Sequence, residues 1–288
     1  MNQDNTKIKT AVQMFNFIAG GDWENIRSQA QAQELVAALS KAGYDGLEWC
    51  NFQLGAEYMD LDALKDKMDE CGLKTCAVHF HYNSAESLAD DCRTAVQRCL
   101  TLETDRLIFA YSIPDTFGIT PDADGKYTPE QIDEWALRAD EVIDTLKEAA
   151  KGTGISILYH NHNTEMLAGT SGKPFMELIH PDALEFDVYW VAKGLDGKVS
   201  SALEYIRKRQ KDTVMLHIKD GLNGSVFKGE MCGWGKGTYP LQTIVDCAKD
   251  MGLDWIVIEN DAPDNFGTTG LKDAQESVKS VVEMTGFN

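Results

Sequence analysis

Short apolar, β-branched runs recur along the chain at residues 10–15, 46–49, 75–79, 106–111, 156–160, 184–188, 214–218 and 255–259, each about as long as a buried strand. Between them the apolar positions change to helical spacing, over 32–41, 61–71, 85–102, 129–151, 173–179, 200–209, 239–251 and 270–284. Helix-start chemistry appears at Ser84 with Glu86 and Ser87 behind it, at Thr128-Pro129-Glu130 and at Ser200. Gly43, Gly72, Gly152 and Gly252 fall where a left-handed residue closes a helix.

Eight strands alternating with helices demand parallel pairing through crossover helices. The count and the length fit an α/β fold of the (β/α)8 TIM-barrel type, one domain spanning residues 1–288. A doubly wound sheet is the competing arrangement, but no Gly-x-Gly-x-x-Gly or P-loop follows a strand. No composition shift marks a linker. The longest irregular stretch, 112–127 after the fourth strand, reads as a functional loop over the barrel mouth.

In a barrel of this type the chemistry sits at the C-terminal strand ends, and the polar residues fall there. His79-Phe80-His81 and His160-Asn161-His162 follow the third and fifth strands, and period-two alternation sends both members of each pair to one side. His217, Lys219 and Asp220 end the seventh strand, Asp187 the sixth, and Glu259 and Asp261 the eighth. Asp187, His217 and Glu259 on consecutive strands form a donor set suited to one divalent ion, Zn2+, Mn2+, Co2+ or Mg2+. Taken singly, each is equally explained by a hydrogen bond to a neighbouring loop. His162 shares the face of His160 and is a candidate general base, with a second-layer hydrogen bond as its structural alternative. Lys219 shares the face of His217 and is a candidate oxyanion stabiliser, or else a salt-bridge partner of Asp220, Asp187 or Glu259. Glu48 and His79 are candidate binders of substrate hydroxyls. Phe15, Trp49, Tyr189 and Trp190 offer flat faces of the kind that cover a sugar ring. The Gly233-Trp234-Gly235-Lys236-Gly237 loop either cradles an anion or only turns tightly.

A formal net charge of −19 without a Lys/Arg block excludes nucleic acid as a partner. The seven cysteines form no CxxC and no framework, which implies reduced thiols in a cytoplasmic compartment. The first seven residues lack the pattern of a signal peptide, and no run reaches the roughly 20 apolar residues of a membrane span. A soluble enzyme of small molecules, free to associate as a homo-oligomer, is the expectation.

Gly43-Tyr-Asp-Gly-Leu-Glu48-Trp49, Tyr159-His160-Asn161-His162-Asn-Thr-Glu165, Glu185-Phe-Asp187-Val-Tyr189-Trp190, Leu216-His217-Ile-Lys219-Asp220 and Val257-Ile-Glu259-Asn-Asp261 together resemble the xylose-isomerase-like TIM barrels, the sugar phosphate isomerase/epimerase family. The resemblance implies a divalent metal held by Glu, Asp, His and Glu from strands five to eight. Asp187, His217 and Glu259 match the last three. His160 stands where many relatives have the first Glu, so the fourth ligand is either His160 or Glu165, one turn later. The implied reaction is isomerisation or epimerisation of a keto- or aldo-sugar, or its phosphate, through an enediolate. The same intermediate can expel a β-substituent, which makes a lyase or dehydratase of a 3-keto sugar, keto-glycoside or keto-inositol the alternative. A sugar-binding barrel without catalysis is the third reading.

Overall fold

The apolar runs form eight parallel strands: β1 Lys9–Gln13, β2 Gly46–Cys50, β3 Lys74–Phe80, β4 Arg106–Phe109, β5 Ser156–His160, β6 Ala183–Asp187, β7 Thr213–Ile218 and β8 Trp255–Ile258. In this computed structural model, which describes residues 8–81, 84–110, 114–222 and 231–285, β1 pairs with both β2 and β8 and closes the sheet into a barrel. Side chains of one parity, including Ala11, Ala77, Ile108, Leu158, Met215 and Val257, fill the barrel floor as a separate apolar cluster. Those of the other parity, such as Val12, Leu47, Val78, Leu107, Tyr159, Phe186 and Leu216, join the larger core between strands and helices. This division decides which residues can meet at the mouth.

Helices Gln29–Ala42, Leu61–Glu70, Leu88–Thr101, Pro129–Ala150, Val199–Lys208, Leu241–Asp250 and Gly270–Thr285 surround the sheet close to their expected places. Thr128 and Gln131 form a reciprocal capping box ahead of Pro129. Gly43, Gly72, Gly152 and Gly252 follow helix ends with φ of 112°, 71°, 78° and 72°, the region where a Cβ is strained. The expected helix at 173–179 is only a 3-10 turn, Phe175–Glu177. Pro174 precedes it, and the segment before it doubles back through Gly169 and Gly172. A helix that the periodicity did not reveal, Val188–Leu195, begins directly after β6. Its first five residues are all buried and continue the strand's apolar run, so no change of period marks it.

β4 ends at Phe109; Tyr111 of the expected strand and residues 112–113 of the expected loop lie outside the described residues. So do residues 1–7, on which the reading of a missing signal peptide rests. All seven cysteines are free. Among the described residues no helix is long and apolar enough to cross a membrane.

Candidate active site and metal centre

At the mouth, β6, β7 and β8 bring Asp187, His217 and Glu259 together, with donor atoms within 4.8 Å of one another and the residues at 0, 0 and 6 % exposure. Asp187 ends β6 and caps the next helix, its Oδ1 accepting from Trp190 N at 2.9 Å, while its own N–H donates to Asn161 Oδ1 at 2.9 Å. That leaves Oδ2 directed at Lys219. Lys219 Nζ lies 2.8 Å from Asp187 Oδ2, 2.6 Å from Glu259 Oε2 and 3.1 Å from Asp261 Oδ2. Burial opposes its charge, yet Asp187, Asp261 and Glu259 hold the ammonium well above its ordinary pKa. Glu259 is held below the carboxylate range by Lys219 and His217 against the effect of burial. Asp261 is pushed up by burial and by Glu259 and Asp187, with Lys219 pulling the other way.

One layer below, the odd strands contribute Gln13, His79, His160 and His217, and the even strands β2 and β6 contribute Glu48 and Glu185. Glu48 Oε1 meets His217 Nε2 at 2.6 Å, His79 Nε2 at 2.7 Å and Gln13 Nε2 at 2.7 Å. Glu185 Oε2 meets His160 Nδ1 at 3.0 Å and His79 Nε2 at 3.2 Å. Burial alone would raise Glu48, but the His79 and His217 imidazoles hold it well below the usual range. Glu185, buried beside Glu48, rises to about 7 despite the same imidazoles. His79 reaches about 9 because Glu48 and Glu185 outweigh its burial. His160, desolvated and next to His217 and His79, falls well below the ordinary histidine value.

A cavity of about 420 Å³ opens above this layer. Glu259, Lys219 and Asp261 line it with His79, His81, His160 and His162, and Phe15, Phe52 and Trp190 form its apolar walls. His162 is about a third exposed, with Nδ1 3.8 Å from Glu165 Oε1. Glu165 is buried behind it and accepts from Tyr159 OH at 3.2 Å and Thr164 Oγ1 at 3.2 Å. His81 is driven down to about 4 by burial and by the His79 and His162 imidazoles, and so is neutral.

The structure therefore assembles Asp187, His217, Glu259, Lys219, His160, His162, His79 and Glu48 at one barrel end. Three expected residues lie elsewhere. Trp49 is fully buried on the outer side of β2, 6.4 Å from Trp23 edge-to-face, because Glu48 takes the inward parity. Tyr189 stacks on Tyr239 at 5.3 Å in the core, and its neighbour Trp190 reaches the cavity instead. Glu165 joins neither metal-competent grouping among the described residues, whereas His160 faces Glu185 Oε2 and has its donor atom within 4.8 Å of that of His217. His81 and Asp261 stand at strand ends in the sequence without an assigned role, and Glu185 has none either; each lies two residues from a candidate, His79, Glu259 or Asp187, and so shares its face.

The glycine-rich loop after β7 has its own answer. Asp220 does not pair with Lys219; its carboxylate accepts from the N–H groups of Gly221, Gly235, Gly237 and Tyr239 at 2.8, 3.0, 2.9 and 3.3 Å. A Cβ on Gly237 would lie 2.1 Å from that carboxylate, so the close approach requires glycine. The loop cradles an anion, but the anion is Asp220.

The donor set fits a divalent cation. Asp187 Oδ2 and His217 Nδ1 are buried and lack a well-formed hydrogen bond, their neighbours being charge contacts to Lys219 Nζ and, at 3.3 Å, to Glu259 Oε2. Glu48 occupies His217 Nε2, which leaves Nδ1 for a ligand, the arrangement by which a carboxylate orients a metal-binding histidine. Asp187, Glu259 and Asp261 outnumber the one ammonium set among them.

A family model described as xylose isomerase-like TIM barrel matches residues 36–283. No curated protein matches the chain. Among solved structures, the IOLI protein with a binding zinc atom is similar at 17 % identity and a TM-score of 0.68, over 97 % of this chain and 98 % of that one. The probable 3-DHS dehydratase AsbF from Bacillus anthracis, involved in petrobactin synthesis, is similar at 12 % identity and 0.69, over 96 % and 99 %. The 3-keto-D-glucoside 4-epimerase YcjR from E. coli is similar at 14 % identity and 0.63, over 96 % and 100 %. At these identities the likeness speaks to the fold.

Proposed function

Because the chain belongs to the xylose isomerase-like TIM barrel family, whose solved relatives include epimerases and a dehydratase, we propose that its barrel mouth is the active site of a divalent-metal-dependent sugar isomerase or epimerase. The observation that carries this reading is the convergence of Asp187, His217 and Glu259 beside a cavity that His162 also lines. Three protein ligands are enough for a catalytic site, which keeps positions open for substrate. When bound, the ion supplies Lewis acidity that makes a C–H beside a sugar carbonyl removable at neutral pH.

The remaining work falls to side chains. His162, with the Glu165 carboxylate 3.8 Å from its Nδ1, is the base that takes this proton and returns it at the neighbouring carbon or the other face. His81, kept neutral, is a second imidazole on the same cavity. Lys219 contributes its charge to the electron-rich intermediate rather than a hydrogen bond, since three carboxylates already surround its ammonium. Trp190 and Phe15 cover apolar sugar faces. The substrate is a keto- or aldo-sugar or its phosphate; among the described residues Lys219 is the only Lys or Arg lining the cavity, and the Gly235 and Gly237 amides are taken by Asp220.

A sugar screen in D2O followed by proton NMR tests this. The expected result is deuterium at the carbon beside the carbonyl, reduced roughly 100-fold or more in His162→Ala with metal content intact. A product lacking a β-substituent would transfer the site to a lyase. Absence of both exchange and bound metal would leave only a sugar-binding barrel.

A further inference from the structure

Two carboxylates in the barrel interior, Glu48 and Glu185, are 0 % exposed and have no Lys or Arg against them among the described residues. Lys219, one layer up, is committed to Asp187, Glu259 and Asp261. Buried carboxylates without a Lys or Arg partner are costly, so this layer draws on positive charge of its own. Only imidazoles stand around them. Either two of these carry protons, or a divalent ion enters.

The geometry points to the second arrangement. We propose that His79, His160 and Glu185 form a second divalent-cation seat beneath the Asp187–His217–Glu259 trio. His79 Nε2 and His160 Nδ1 both converge on Glu185 Oε2, at 3.2 and 3.0 Å, with His79 Nε2 also 2.7 Å from Glu48 Oε1, and Glu185 Oε1 is buried without a hydrogen-bond partner. The donor atoms of these three residues and His217 lie within 4.8 Å of one another. His79 and His160 line the cavity, so an ion has a path in and an open side facing substrate. The apolar floor of Ile108, Leu158 and Met215 excludes water from below. His217 belongs to both groupings, with Glu48 on its Nε2 and Nδ1 turned to the mouth, so the proposed seat takes His79, His160 and Glu185 and leaves His217 to the trio. Two imidazoles and one carboxylate suit Zn2+ or Co2+ over Mg2+, whereas the carboxylate-rich mouth is less selective.

The test is metal stoichiometry of the full chain, stripped with chelator, dialysed against Zn2+ or Co2+ and measured by elemental analysis, with the Co2+ absorption spectrum recorded in parallel. Two ions per wild-type chain are expected, falling to one in Glu185→Gln, in His79→Gln and in Asp187→Asn. Glu185→Gln keeps side-chain shape, and His79→Gln gives an independent route should it misfold. If the wild type holds only one ion and both Glu185→Gln and His79→Gln retain it, the second seat is overturned and the mouth reading stands. If the wild type holds only one ion, lost in those two variants but kept in Asp187→Asn, the seat stands and the mouth is overturned as metal centre. No bound ion in the wild type overturns both.

Discussion

Lys219→Met separates folding from metal binding at the mouth. The ammonium is 2 % exposed and lies 2.6 to 3.1 Å from Glu259, Asp187 and Asp261. Methionine keeps much of the stem and removes the charge, stranding three buried carboxylates. Breaking a buried ion pair costs about 3–5 kcal/mol. For 288 residues, an unfolding entropy of about 2.1 cal/mol/K per residue sums to about 0.6 kcal/mol/K, so the metal-free variant should melt about 5–8 °C below wild type. The effect on metal has the opposite sign, because ammonium and ion draw on the same carboxylate charge. Two unit charges about 4 Å apart interact by about 4 kcal/mol at an effective dielectric of 20, so even strong screening leaves about tenfold tighter binding of Zn2+ or Mn2+ in the variant. Calorimetric melts in chelator and in saturating metal, with competition titrations for affinity, measure both quantities. A variant that melts with wild type in chelator, or that binds metal more weakly, refutes the reasoning.

Glu48→Gln should weaken mouth metal binding about 10- to 100-fold, since it neutralises the group that fixes His217 for ligation; an unchanged titration would remove this hydrogen bond from the account. Glu165→Gln should slow solvent exchange with metal content unchanged, as expected of a residue that orients His162; loss of metal instead would put Glu165 among the ligands. The metal-free protein should lose stability toward alkaline pH. His79 goes from 6.5 to about 9 on folding, so its contribution is complete below about 6.5 and disappears through about 9. Glu185 goes from 4.5 to about 7 and acts in the same direction between those values. Urea melts in chelator at several pH values check this, and stability that rises between pH 7 and 9 would contradict it.

The sequence announces the barrel because each strand is a short apolar run and four of the helices close on a glycine, both local signals. It also announces the strand-end residues, since Asp187, His217 and Glu259 are polar breaks in otherwise apolar strands. Trp49 was misplaced because it was chosen for its chemistry and not its parity: neighbours on a strand face opposite ways, so Glu48 and Trp49 cannot both enter the barrel. The same parity, carried one step back along β6, puts Glu185 on the face of Asp187. Tyr189 fails for a different reason, since β6 gives way to a helix at Asp187 and the two-residue period no longer applies. The pairing of Glu48 with His217 crosses the barrel over 169 residues and depends on how the closing strands are staggered. No local pattern encodes that stagger, so the sequence could give the members of the buried layer but not their partners. The partners decide the chemistry: with Glu48 on Nε2, His217 presents Nδ1 to a ligand at the mouth, and the choice of that one nitrogen separates a metal site from a buried ion-pair network.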